Sequence, residues 1–143
     1  INLEQRNFIV KKIQDALWII KGKVIGILGL SFKPNTDDTR GSPAIEIAKK
    51  LFDLGAHIKA YDPKAMEKAK IDAPNFKYCK NAYEVAKDSH ALVILTDWDE
   101  FKKLDLKKIK KLLKTPILID ARNIYESKLM NEIGYIYKGV GRS

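Results

Sequence analysis

A chain of 143 residues, 45% apolar and 31% charged, is long enough for one domain with a sizeable core. No apolar run approaches the roughly 20 residues of a membrane span, and the single cysteine, Cys79, excludes an internal disulfide and offers no metal-ligand spacing. The formal net charge of +9 raises the question of nucleic acid, but the lysines are spread widely and no aromatics interleave with them for base stacking, so neither nucleic acid nor membrane is expected as a partner.

The first twenty residues carry charges throughout, which reads against a signal peptide. Ile1 in place of Met suggests a processed chain or a piece cut from a longer one. The spacing predicts a helix over Asn2–Ile20. Asn2 is placed to cap it, with Gln5 three residues on, and Ile9, Ile13, Leu17 and Ile20 recur at three- and four-residue intervals. Lys21-Gly22 ends it, with Gly22 as a left-handed cap. A capped helix ahead of the first strand is an unusual opening for a doubly wound fold. It reads either as a packing helix of this domain or as the end of a connector from another one. Nine apolar residues between Phe8 and Ile20 exceed one ordinary stripe, so the helix is expected to extend from the body or to pack on another copy.

From Lys23 onward, strand and helix patterns alternate. Val24–Leu30 is apolar and β-branched, and reads as the first strand. The loop Ser31–Gly41 carries Lys33, Asp37, Asp38 and Arg40, and Ser42-Pro43 reads as the cap and first position of the next helix. At about eleven residues this loop is longer than the roughly 2–6 usual between a strand and its helix, which points to function. A helix over Ala44–Leu54 follows, then a strand His57–Tyr61 stopped by Asp62-Pro63. Next come a short helix near Lys64–Ala69, a weak strand Phe76–Cys79 and a helix Asn81–Lys87. Ala91–Thr96 is a fourth strand, Leu104–Lys114 a lysine-faced helix, and Ile117–Asp120 a fifth strand. A helix Ser127–Ile133 and a strand Tyr135–Val140 close the chain. The two histidines, His57 and His90, each stand at a strand start and read as ordinary, partly exposed residues.

Continuous apolar strands separated by helices predict an α/β fold: a doubly wound, mostly parallel, Rossmann-like sheet of five to six strands. In such a sheet, polar residues at the strands' carboxyl ends mark the ligand edge. Here these are Ser31 to Arg40, Asp62, Thr96-Asp97 and Asp120 with Arg122. The first turn reads G-I-L-G-L-S from Gly26, so the dinucleotide fingerprint G-x-G-x-x-G is absent. Asp62 could still mimic the ribose-binding acid after the second strand. Lys33 and Arg40 either neutralise a phosphate or are surface residues paired with Asp37 and Asp38.

The stretches GKVIGILGLSFKPNTDDTRGSPA, AYDPKA, ALVILTDWDEF and ILIDARNIY, in order and with compatible spacing, resemble the carboxyl-terminal domain of the UDP-glucose 6-dehydrogenase family, whose relatives act on GDP-mannose and UDP-N-acetylmannosamine. The opening INLEQRNFIVKKI resembles the end of the helix joining the two halves of those enzymes. The resemblance implies residues 1–22 as connector and 23–143 as a UDP-sugar-binding domain. It also implies an NAD-dependent oxidation of UDP-glucose to UDP-glucuronate in two hydride transfers through a cysteine thioester, in the cytoplasm, by a homodimer paired through the connector helix. By the same resemblance Phe32, Lys33 and Arg122 meet the sugar nucleotide, and Arg40 contacts NAD bound mainly by the other domain. Ala121 and Gly41 depart from the common pattern without removing a charged group. No catalytic residue of that chemistry falls in this stretch; Cys79 matches neither the nucleophile's position nor its context and reads as a core cysteine. The segment alone is therefore expected to be inactive; the alternatives are a free-standing nucleotide-binding or regulatory module, or the same domain of a UDP-N-acetylmannosamine or GDP-mannose dehydrogenase.

Overall fold

Each apolar run forms a strand whose backbone groups pair with neighbours on both sides, so the sheet grows inward from its most hydrophobic members. The computed structural model describes residues 3–140. In chain order the elements are α1 (Leu3–Leu17), β1 (Val24–Leu28), α2 (Pro43–Asp53), β2 (His57–Tyr61), α3 (Met66–Asp72), β3 (Lys77–Tyr78), α4 (Ala82–Ala86), β4 (Ala91–Ile94), α5 (Asp99–Lys102), α6 (Leu106–Leu112), β5 (Ile117–Asp120), α7 (Ser127–Ile133) and β6 (Ile136–Gly139). No helix among them is long and apolar enough to cross a membrane. The strands lie in the order β3-β2-β1-β4-β5-β6 and every pairing is parallel, as expected of a doubly wound, Rossmann-like α/β sheet. The chain winds outward from β1 to β3, returns to place β4 beside β1, and winds outward again. The order therefore reverses between β1 and β4, which opens a crevice at their carboxyl ends.

Alternation along the strands divides the core in two. Ile25 and Ile27 of β1, Val93 of β4, and Ile117 and Ile119 of β5 face one layer, with Ile9 and Ile13 of α1, Ile47 and Leu51 of α2, and Ala69 of α3. Leu28, Leu92, Ile94 and Leu118 face the other, with Val85 of α4, Phe101 of α5, Ile109 of α6 and Met130 of α7.

The leading helix is a packing helix of this domain, one of its two readings, and departs from the expectation that it extends outward or reaches Ile20. It neither extends from the body nor stops at Ile20: it packs beside α2 and against β5, burying Ile9, Val10 and Ile13. Arg6 pairs with Glu46 of α2 at 2.5 Å, and the Lys12 ammonium donates to the Gly139 carbonyl of β6 at 2.9 Å. The reason is coverage. The helices following β1 and β2 shield only one half of that sheet face, and Val93, Ile117 and Ile119 need a cover on the other. The helix ends at Leu17 because Trp18 turns left-handed, with φ 67°; Asn2, read as its cap, lies outside the described residues.

The lysine-faced helix is also shorter than its pattern. Asp105 interrupts it, accepting from the Lys108 N–H at 3.1 Å as the cap of α6, and α5 forms separately ahead of it. An aspartate three residues before a free backbone donor starts a helix more effectively than Leu104 continues one.

Candidate functional site

The parallel sheet brings every strand's exit to one edge, and the long loop after β1 dominates it. β1 stops at Leu28, so Leu30 and Ser31 have no ladder partners, and side chains from elsewhere take their polar groups. The N–H groups of Leu30 and Ser31 both donate to Asp62 Oδ2, at 2.8 and 3.1 Å. The Leu30 carbonyl accepts from Ser42 Oγ at 2.8 Å, and the Ser31 carbonyl from Thr96 Oγ1 at 3.0 Å. Ser31 Oγ also donates to Asp62 Oδ2 at 3.0 Å, and the Trp98 indole N–H reaches Asp62 Oδ2 at 3.2 Å and Ser31 Oγ at 3.3 Å. Asp62 Oδ1 accepts from the N–H groups of Lys64 and Ala65, both at 2.9 Å. Ser31, Ser42, Asp62, Thr96 and Trp98 are all buried. Gly29 makes this collar possible: its φ is +99°, and a Cβ there would stand 2.5 Å from the Thr96 backbone nitrogen.

Beyond the collar the loop emerges into solvent. The Phe32 N–H donates to the Asp38 carbonyl at 2.8 Å and closes the loop on itself. Phe32 is 51% exposed, and Lys33 is exposed with no ion pair among the described residues. Asp37 pairs with Lys68 of α3 at 3.1 Å. Arg40 forks onto Asp38, with Nε to Oδ1 at 3.1 Å and Nη2 to Oδ2 at 3.2 Å. Those hydrogen bonds hold the Asp38 carboxyl down at about 2 and push the arginine's affinity for its proton higher still.

Arg122 lies two residues past the end of β5, on the same edge. Asp120 shapes its turn: Oδ1 accepts from the Arg122 N–H at 3.2 Å, and Oδ2 from the Tyr125 N–H at 3.0 Å and the Tyr137 hydroxyl at 2.7 Å. The Arg122 guanidinium meets Asp97 of the β4 exit, Nη2 to Oδ1 at 3.1 Å, through charge rather than a well-directed hydrogen bond. The topology thus brings the segments carrying Lys33 and Arg122 to the same edge, one on each side of the β4 exit.

Two other residues stand differently from a ligand role. Asp62 is fully buried and committed to protein donors on both oxygens, so it is not free to bind a ribose. Cys79 is buried, and that burial pushes its thiol's pKa up, the opposite of a nucleophile's activation. The β1 turn likewise does not fit a dinucleotide. Thr96 fills the space above Gly29, and the Ser42 hydroxyl accepts from the Ile45 N–H at the start of α2. Sequence reasoning marked Thr96 and Asp97 only as polar strand-end residues and gave Trp98 no role; the Thr-Asp-Trp run directly after an apolar strand was the available signal.

A model of the UDP-glucose/GDP-mannose dehydrogenase family, UDP binding domain, matches residues 26–127. The chain belongs to this family. The UDP binding domain described here is 45% identical over 142 residues to UDP-glucose 6-dehydrogenase TuaD of Bacillus subtilis, covering 99% of this chain and 31% of that protein. It is also 45% identical over 123 residues to the UDP-glucose 6-dehydrogenase of Rhizobium meliloti, covering 86% of this chain and 28% of the relative. Among solved structures, a UDP-glucose dehydrogenase from the hyperthermophilic archaeon Pyrobaculum islandicum superposes with a TM-score of 0.83 at 28% identity, over 98% of this chain and 30% of that one. The domain thus spans about three tenths of these relatives' length.

Proposed function

We propose that this domain binds the sugar nucleotide for an NAD-dependent UDP-glucose 6-dehydrogenase, which oxidises UDP-glucose to UDP-glucuronate in two hydride transfers. The observation that carries the reading is the pair of cationic segments flanking the β4 exit on the sheet's carboxyl edge, within a domain of the UDP-binding family. Lys33 and Arg122 meet the diphosphate, each charge-assisted hydrogen bond contributing about 1.5–3 kcal/mol. Phe32, exposed beside Lys33, supplies an aromatic face to the nucleotide. Arg40, its side chain 91% exposed, faces NAD held by the rest of the enzyme. The nucleophile and the cofactor's cradle belong to that remainder, and residues 1–22 form the end of the connector to it. The enzyme works in the cytoplasm as a homodimer.

The test is steady-state kinetics on the full-length enzyme. Lys33→Ala and Arg122→Ala are expected to raise the KM for UDP-glucose about tenfold or more while leaving that for NAD nearly unchanged, and Arg40→Ala to show the reverse bias. Equal effects on both substrates from all three changes would sink the assignment. A second reading, the same domain serving a different sugar, draws on the structural likeness to a UDP-D-ManNAc dehydrogenase of Pyrococcus horikoshii at a TM-score of 0.75 and 28% identity; turnover of UDP-N-acetylmannosamine but not UDP-glucose would establish it.

A further inference from the structure

The run Thr96-Asp97-Trp98 touches both halves of the site at once. Successive side chains go to opposite neighbours. The Thr96 hydroxyl holds the Ser31 carbonyl, on the β1 side, at 3.0 Å. The Asp97 carboxylate holds Arg122, on the β5 side, at 3.1 Å. The Trp98 indole returns to the β1 side, to Ser31 Oγ and Asp62 Oδ2. Ser31 immediately precedes Phe32-Lys33, whereas beyond Lys33 the exposed loop is held by its own hydrogen bonds, Phe32 to Asp38 and Asp38 to Thr36, and by the surface ion pair of Asp37 with Lys68 of α3. Where Lys33 starts is thus set at Ser31, by Thr96 and Trp98 of β4's exit together with Asp62 of β2's.

We propose that Thr96 and Trp98 are positioning residues for Phe32-Lys33 and that, with Asp97 between them tethering Arg122, this three-residue run sets the separation of the two cationic groups before a ligand arrives. The inference rests on the reading of Lys33 and Arg122 as the groups that meet the sugar nucleotide. A nucleoside diphosphate presents its charges at a separation fixed by its own bonds. Two cations on independent loops would each have to be ordered at binding, at an entropic cost that weakens affinity. Tying both to one segment anchored by the buried Thr96 and Trp98 meets that cost on folding. Thr96 suits the task because it is fully buried and packed against Gly29, so its hydroxyl has little freedom to turn away.

Valine keeps threonine's shape and loses its hydroxyl; serine keeps the hydroxyl. In the full-length enzyme, UDP binding measured by calorimetry is expected to weaken about tenfold in Thr96→Val and to return to within about twofold of wild type in Thr96→Ser. Trp98→Phe, which keeps a ring and loses the indole donor, is expected to weaken binding in the same direction and carries the test if Thr96→Val does not fold. The KM for NAD stays unchanged in all three. In a Lys33→Ala background, Thr96→Val is expected to add little, because it acts through that lysine. A purely structural role predicts an additive loss instead, and that outcome overturns the proposal. So does wild-type UDP affinity in both Thr96→Val and Trp98→Phe while Lys33→Ala and Arg122→Ala still lose it. If Lys33→Ala and Arg122→Ala themselves bind UDP like wild type, the reading of the site falls and the positioning role falls with it.

Discussion

Two buried carboxylates, Asp62 and Asp120, show how a charged residue becomes structural. Each stands where a strand ends and backbone donors lose their ladder partners, and each is surrounded by N–H and O–H groups that would otherwise be buried without acceptors. His90 is a second such case, with a consequence in pH. The Val24 N–H donates to its Nδ1 at 3.0 Å, which requires a neutral ring. Burial, then Lys23 and Lys114, lower its pKa below the ordinary 6.5. Between the folded and unfolded values the unfolded chain binds more protons, so this contribution to stability is complete above about pH 6.5 and is lost as pH falls through the folded value. The His90 titration followed by NMR is expected to have its midpoint below 6.5; a midpoint at or above that value would remove the argument.

At the scale of elements, α1 is the clearest case of a helix whose role depends on what the sheet lacks. Its buried stripe, Ile9, Val10 and Ile13, covers sheet surface that α2 and α3 do not reach, while Phe8 on another side of the same helix is 47% exposed. Ile13→Ala should therefore cost about 2–5 kcal/mol in urea unfolding, as for other large-to-small core changes, and Phe8→Ala well under about 1 kcal/mol. Equal, small effects would mean that the helix is not part of the folded body.

At the scale of the whole molecule, the same helix leaves an apolar surface uncovered. In addition to Phe8, Trp18 is 91% and Ile19 64% exposed, just past the helix end. The paired enzyme proposed above would bury this surface, so sedimentation of the chain at high concentration is expected to show a dimer, and Trp18→Glu to shift it towards monomer. A strictly monomeric mass for the unaltered chain would count against pairing through α1.

The strands, the parallel winding and the long charged loop were legible in the sequence, because each depends on local order: apolar β-branched runs, helical periods, Ser42-Pro43 as a helix start, Asp62-Pro63 as a stop. That the strand exits share one edge followed from chain direction alone, since strands that run parallel must release their loops on one side. The sequence could not say where the leading helix would lie, that Asp62 was already spent on protein donors, or that Thr96 would hold Ser31. Those outcomes depend on partners far apart in the chain, 65 residues in the case of Thr96 and Ser31. Only the assembled sheet, by setting β1 between β2 and β4, brings such residues within hydrogen-bonding distance and so decides which polar side chains hold the fold and which remain free for a ligand.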